Sequence, residues 1–226
     1  MADNATNADT PNGDYPKPIT LRPPSKYAAN PSKPTANTAE PFVAPPNEWL
    51  WNTWSVTHST LSMWESAQNV RITYAPHKSH NAESDGNVKP SVNDNLVEYE
   101  KKNGKGGVRT VVGVEKPDPN ISGAWNWRGK GWLAIASSHW EILGWGERPL
   151  PDGDGDDVER WAVTWFAPTL FTEEGIDIYS DRREGLSAKT VEEIIEALKQ
   201  LEAPKLVELV EKSIKEVAIN LPWKEG

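Results

Sequence analysis

LVEYEKKNGKGGVRTVVGVE, residues 96–115, decides the fold. Two β-rich runs, 96–101 and 108–115, flank Asn103-Gly104-Lys105-Gly106-Gly107. Asn and Gly tolerate the positive φ of a tight hairpin, whose turn must match the twist of the strands it joins. A chain that folds back here starts an antiparallel sheet. Upstream, residues 69–74 (NVRITY) place Val70, Ile72 and Tyr74 on one face and Arg71 and Thr73 on the other. Further β-rich runs fall at 49–58, 123–127, 132–137, 140–146, 159–167 and 176–179, punctuated by Gly129, Gly131 and the Ser137-Ser138 step. Eight or nine short strands favour a closed barrel or a sandwich.

The flanks read differently. Residues 1–46 are rich in Pro, Asn, Ala, Thr and Ser. Such a segment buries too little to offset its ordering entropy, so a disordered or loosely draped arm is expected. The span between the second and third strands, about residues 75–94, is long for a hairpin loop. In the tail, Val191, Ile194, Ile195, Leu198 and Leu201 repeat at helical spacing, with Thr190 and Glu193 placed for a capping box. Pro204 opens a second stripe through Leu206, Leu209, Val210, Ile214 and Val217. Helices this short need a surface to pack on. The expected organisation is an arm over 1–46, a β-barrel over 47–180 and a helical segment over 181–226 packed on the barrel.

Composition narrows the function classes. A net charge of −9 argues against a nucleic-acid partner, whose affinity needs clustered Lys and Arg. With no cysteine there is no disulfide, no thiolate metal site and no Cys nucleophile. No apolar run reaches the ~20 residues of a membrane span. The polar N-terminus lacks the pattern of a secretory signal, so a cytoplasmic location is expected. Oligomeric state is left open. Twelve tryptophans imply an aromatic core, a ligand cavity or both.

Asp152-Gly-Asp154-Gly-Asp156-Asp157 departs from a calcium loop, with Asp157 where the turn Gly belongs and Val163 at the position of the bidentate Glu. Gly129-Lys130-Gly131 lacks the Ser/Thr ending and following helix of a phosphate loop. No metal site is expected. His77 and His80 read as loop histidines. His139 and Glu141, two apart on a strand, share a face, so the carboxylate could orient the imidazole for acid–base chemistry. Arg71, Arg109 and Arg128 lie in or beside aromatic strands, and an interior arginine would need a carboxylate or an anionic ligand.

Several runs together resemble a known group: Trp51-Asn-Thr-Trp54-Ser-Val-Thr-His58, Asn69-Val-Arg71-Ile-Thr-Tyr74, Gly123-Ala-Trp125-Asn-Trp127-Arg-Gly129-Lys-Gly131-Trp132, Ser138-His139-Trp140-Glu141-Ile-Leu-Gly144-Trp145 and Gly175-Ile-Asp-Ile-Tyr179-Ser. They are similar to small lipocalin-like (calycin-type) proteins of filamentous fungi, mostly uncharacterised, over about residues 49–200. The resemblance implies a calycin barrel whose cavity holds an apolar small molecule or steers a non-redox cyclisation, some members being associated with secondary metabolism. In secreted lipocalins Gly-x-Trp stands on the first strand, whereas Gly123-Ala-Trp125 is mid-chain here. The same signature faintly resembles that of nitrobindin-type haem barrels, which would require an interior axial histidine, His58 or His139.

The leading expectation is a mainly β, lipocalin-like barrel binding an apolar small molecule without a cofactor. Its ligand residues would be His58, Arg71, Tyr74, Tyr99, Arg109, Trp127 and Trp165. A cofactor-independent isomerase or cyclase in the same cavity would use His139 and Glu141 as catalytic residues. A third expectation is a scaffold or interaction module with a filled barrel. Strand parity sets Trp49 and Trp51 opposite Trp54, and Trp140 opposite Trp145, so the tryptophans cannot all line a cavity.

Overall fold

The computed structural model describes residues 18–28, 42–77, 92–151, 157–169 and 172–224, apart from the side chain of Trp132. The hairpin stands where its sequence places it: β3 (Asn93–Lys101) pairs with β4 (Val108–Pro117), Leu96 opposite Val112 and Glu100 opposite Val108. Around it run β1 (Thr53–Ser59), β2 (Ala67–Pro76), β5 (Ala124–Gly129), β6 (Ser137–Pro149), β7 (Val158–Phe166) and β8 (Gly175–Ser180). Every strand pairs antiparallel with its successor, and β8 returns to β1. These eight strands form a closed up-and-down, lipocalin-like barrel with no free edge among them.

At one end of the seam β1 and β2 separate after pairing at Thr53–Ser55 with Arg71–Thr73. The C-terminal tail enters that gap. Its short β9 (Lys215–Glu216) pairs with His58 and Ser59, the Val217 amide donates to Thr57 O, and the Asn69 amide donates to Ala218 O.

Two predicted strands differ. Residues 49–58 do not run as one strand: α1 (Asn47–Leu50) starts after Pro46, and β1 begins at Thr53. Proline at a helix entry fixes φ where no amide partner is needed. Of residues 132–137 only Ser137 is in a strand, as the first residue of β6. Gly131 takes φ +62° and opens a 3-10 turn (Gly131–Leu133), while Gly129 lies so close beneath Leu133 that a β-carbon would come within 2.4 Å of its carbonyl oxygen.

The tail helices α2 (Ala188–Lys199) and α3 (Pro204–Ser213) lie on the outside of β7 and β8. Ile194, Leu198, Leu206 and Val210 pack there with Val163, Trp165, Ile176 and Ile178. The predicted capping box at Thr190 and Glu193 is replaced by an N-cap at Ser187. Its hydroxyl and amide, with the Thr190 hydroxyl, all donate to the buried carboxylate of Glu159 on β7. Glu193 instead pairs with Arg148 on β6.

Most of the expected N-terminal arm lies outside the described residues. Residues 18–28 pack along the outer face of β6, with Leu21 buried against Gly144 and the Arg22 amide donating to Leu143 O. Among the described residues no helix is long and apolar enough to cross a membrane.

Candidate functional site

Alternation along the strands sorts side chains into two cores. The inner core holds Trp54, Val56, Val70, Ile72, Tyr74, Trp125, Trp140, Ile142 and Tyr179, with Val97, Tyr99, Trp127, Trp145 and Phe166 half-buried against it. The outer core, beneath α2 and α3, holds Trp161 and Trp165. One irregularity changes the tryptophan count inside. A bulge between Ile142 and Gly144 inserts a residue, so Trp140 and Trp145 both reach the inner core despite their opposite sequence parity. A second bulge between Val56 and His58 acts in reverse on β1. It sets Val56 opposite inward Tyr179 but His58 opposite outward Ile178, and Ser59 then turns inward to Asp177.

Of the nine residues expected to form the site, Tyr74, Tyr99 and Trp127 face the interior. Tyr99 packs edge-on against Trp64 at 5.4 Å. The Trp127 indole crosses directly over Gly113, where a β-carbon would lie 2.1 Å from its nitrogen, and donates to Asn95 at 3.1 Å. Arg109 stands opposite Tyr99 but is exposed at the barrel end that carries the 102–107 turn.

The other five face outward, and each is engaged there. Arg71 bonds Glu98 and the Lys224 carbonyl and lies 5.0 Å over the Trp223 ring. His58 lies beneath β9, where burial lowers its pKa against the opposing pull of Glu216. Trp165 donates to Glu174 on the outer face. His139 and Glu141 do approach each other, Nε2 to Oε1 at 3.4 Å, but under the 18–28 segment rather than in the barrel. Arg22 reaches Glu141 at 2.9 Å, and the Ser25 amide and hydroxyl both donate to it. Burial would raise the Glu141 pKa, yet hydrogen bonds from His139 and Ser25 and the Arg22 charge hold it below the usual value. That carboxylate is a clamp for the N-terminal segment. With His58 and His139 outside and His77 paired to Asp94, no described histidine faces inward to ligate a haem; His80 lies outside the described residues.

What the interior does hold is acidic. Glu115 on β4 and Asp177 on β8 are each 1% exposed and face inward among the aromatics. The Asp177 carboxylate accepts from the Ser59 hydroxyl, with the Trp64 indole close by, and burial pushes its pKa up to about 7. Burial raises Glu115 well above the carboxylate range against the weaker pull of the Trp140 indole. Between them lie the Tyr74 and Tyr179 hydroxyls, both driven up by burial first and by neighbouring acids. Glu115 Oε2, Asn93 Nδ2 and the Trp125 indole nitrogen have no well-formed hydrogen bond among the described residues, and the indoles of Trp64 and Trp140 and the Tyr179 hydroxyl only approach Asp177, Glu115 and Tyr74. Buried polar atoms normally find partners, so such a concentration in one interior makes it the candidate site.

Sequence reading missed Glu115, Asp177 and Tyr179. A signal was present in part: Glu115 shares the parity of Val111 and Gly113 in the hairpin, and Asp177 that of Tyr179. An acid inside a strand reads as solvated until its face is known.

No family model matches the chain, and no curated protein matches it in sequence. Among solved structures it is similar to apocrustacyanin C1, with 13% identity over 79% of this chain and 82% of that chain at a TM-score of 0.47. Apocrustacyanin C2 gives 12% identity, 78% and 81% coverage and a TM-score of 0.43. Lobster apocrustacyanin A1 gives 12% identity, 81% and 94% coverage and a TM-score of 0.41.

Proposed function

We propose that the protein binds a small molecule with an apolar body and a polar group inside its barrel. The observation that carries this reading is the set of polar atoms without a well-formed hydrogen bond around Glu115, Trp125, Trp140 and Tyr179 in an otherwise aromatic interior. Aromatic walls supply contact area, and a few converging polar groups fix orientation. Val97, Tyr99, Val111, Trp127, Trp145 and Phe166 are interior side chains that retain accessible surface. A role in fungal secondary metabolism belongs to the same reading and rests on the sequence resemblance, and a cytoplasmic location is proposed with it.

Native mass spectrometry of protein purified from its own host is the direct test, joined by titration with the fluorophore 8-anilinonaphthalene-1-sulfonate. The expected results are a retained small molecule and saturable one-to-one quenching of tryptophan emission, weakened by Trp127→Ala. Protein free of any bound molecule, with no saturable quenching, would overturn the reading and leave a filled structural barrel.

A second reading, catalysis without a cofactor, is favoured by the placement of Asp177: buried inside the barrel with the Ser59 hydroxyl as its donor, its carboxyl is pushed by burial up to about 7, where it can both give and take a proton. It moves the acid–base role from His139 and Glu141 to the interior. Its test is Asp177→Asn, which should abolish conversion of the co-purified molecule while retaining its binding; unchanged conversion excludes it.

A further inference from the structure

Five acidic side chains among the described residues are buried, and their surroundings divide them. Glu141 meets Arg22 and Ser25. Glu159 takes three hydrogen bonds from Ser187 and Thr190. Glu100 is held by Asn69 and the Lys224 amide. Asp177 has the Ser59 hydroxyl. Glu115 alone has an oxygen without a formed hydrogen bond, at 1% exposure, with the Trp140 indole nearby. The buried cations do not help it. Arg71 and Arg148 both face outward, to Glu98 and to Glu193.

Around Glu115 stand aromatic faces. Trp125 and Trp140 stack at 4.6 Å between centroids with their planes 16° apart, and Tyr74 lies 5.6 Å from Trp140. Trp127 is directly opposite Glu115 in the β4–β5 ladder. Aromatic faces attract cations through the negative centre of the ring, most strongly where water is excluded. An anionic ligand would meet two acids and no base here. A purely apolar one would leave Glu115 with no more than the Trp140 indole beside it.

We propose that the barrel selects an organic cation, a protonated amine whose ammonium group pairs with Glu115 within a cage formed by Tyr74, Trp125, Trp127 and Trp140. This deepens the ligand-binding reading and rests on it. Burial holds the Glu115 carboxyl well above its usual range, and pairing with an ammonium group pulls it back down, so a proton held there passes to solvent on binding. The titratable groups facing Glu115 from neighbouring strands are Tyr74 of β2 and Asp177 and Tyr179 of β8; the tyrosines stay neutral throughout.

The test uses two matched probe series on the full chain: tryptamine, tryptophol and indole-3-propionate, and decylamine, decanol and decanoate. Isothermal titration calorimetry at pH 7, in buffers of different ionisation enthalpy, reads affinity and proton release together. Within each series that binds, the amine should bind at least about tenfold tighter than the alcohol, the carboxylate weakest, with net proton release. Glu115→Gln, nearly isosteric with a neutral Glu115, should bring the amine down to the alcohol's affinity and abolish the release. Near-UV circular dichroism checks its fold. An alcohol or carboxylate that binds as tightly as its amine would overturn the inference. So would a preference for the amine that survives Glu115→Gln. If the fluorophore or a co-purified molecule binds and neither amine does, the cation inference fails while the ligand-binding reading stands. If nothing binds, both fail.

Discussion

Two carboxyl groups inside a barrel set how stability depends on pH. Asp177 moves from 3.8 to about 7 on folding, so the native state holds a proton that the unfolded chain releases near pH 4. Its contribution is fully present below about pH 4 and is lost as pH rises through about 7, amounting to about 4 kcal/mol. Glu115 shifts in the same direction and adds to the slope. Asp177→Asn keeps the hydrogen-bonding shape without the titration. Denaturant unfolding at pH 5, 6, 7 and 8 should show the wild-type chain losing stability across this range and the variant losing markedly less; equal slopes would refute the assignment. The residue types at these positions were legible, but their environment was not. Burial is what separates Asp177 from any other acid.

The segment 18–28 shows how an element without secondary structure is held in place. Leu21 fills the space over Gly144, and the Arg22 guanidinium reaches Glu141, the Ile142 carbonyl and the face of Phe42. Removing one partner of a buried pair strands the other. Arg22→Ala is therefore expected to cost about 3 kcal/mol, the low end for such losses because Ser25 and His139 still bond Glu141. Limited proteolysis should find cleavage within 18–28 accelerated in the variant, and urea unfolding should give the energy. Unchanged values in both would mean that Leu21 alone anchors the segment. The pairing of His139 with Glu141 was legible from their spacing. The partner that turns Glu141 into a clamp lies more than a hundred residues away in the chain, and no local pattern announces it.

At the scale of the whole molecule, the barrel closes by a seam that the chain's own C-terminal tail completes. The tail buries Val217, satisfies both sides of the Asn69 amide group, bonds Glu100 and Arg71, and sets Trp223 between Arg71 and Arg183. Deleting residues 214–226 should cost about 4 kcal/mol, from one buried aliphatic side chain and the polar groups left unpaired. For a chain of this size that lowers Tm by roughly 10 °C. A thermal unfolding midpoint unchanged by the deletion would show that β1–β2 pairing suffices.

The β-domain around the 96–115 hairpin, its strand number and the two tail helices followed from the sequence, because turn residues, alternation and helical periodicity act over a few neighbouring positions. Which side of each strand faces the barrel did not. Two bulges reverse the alternation within β1 and β6, bringing Trp145 inside and sending His58 out, and they exist to satisfy pairing with distant strands. The predicted site therefore divided: Tyr74, Tyr99 and Trp127 lie within, while five of its nine residues serve the outer surface. The tryptophans gave the aromatic character of the interior. Only closure of the sheet placed Glu115 and Asp177 among them, since an acid's burial is fixed by the strands packed around it and not by its neighbours in the chain.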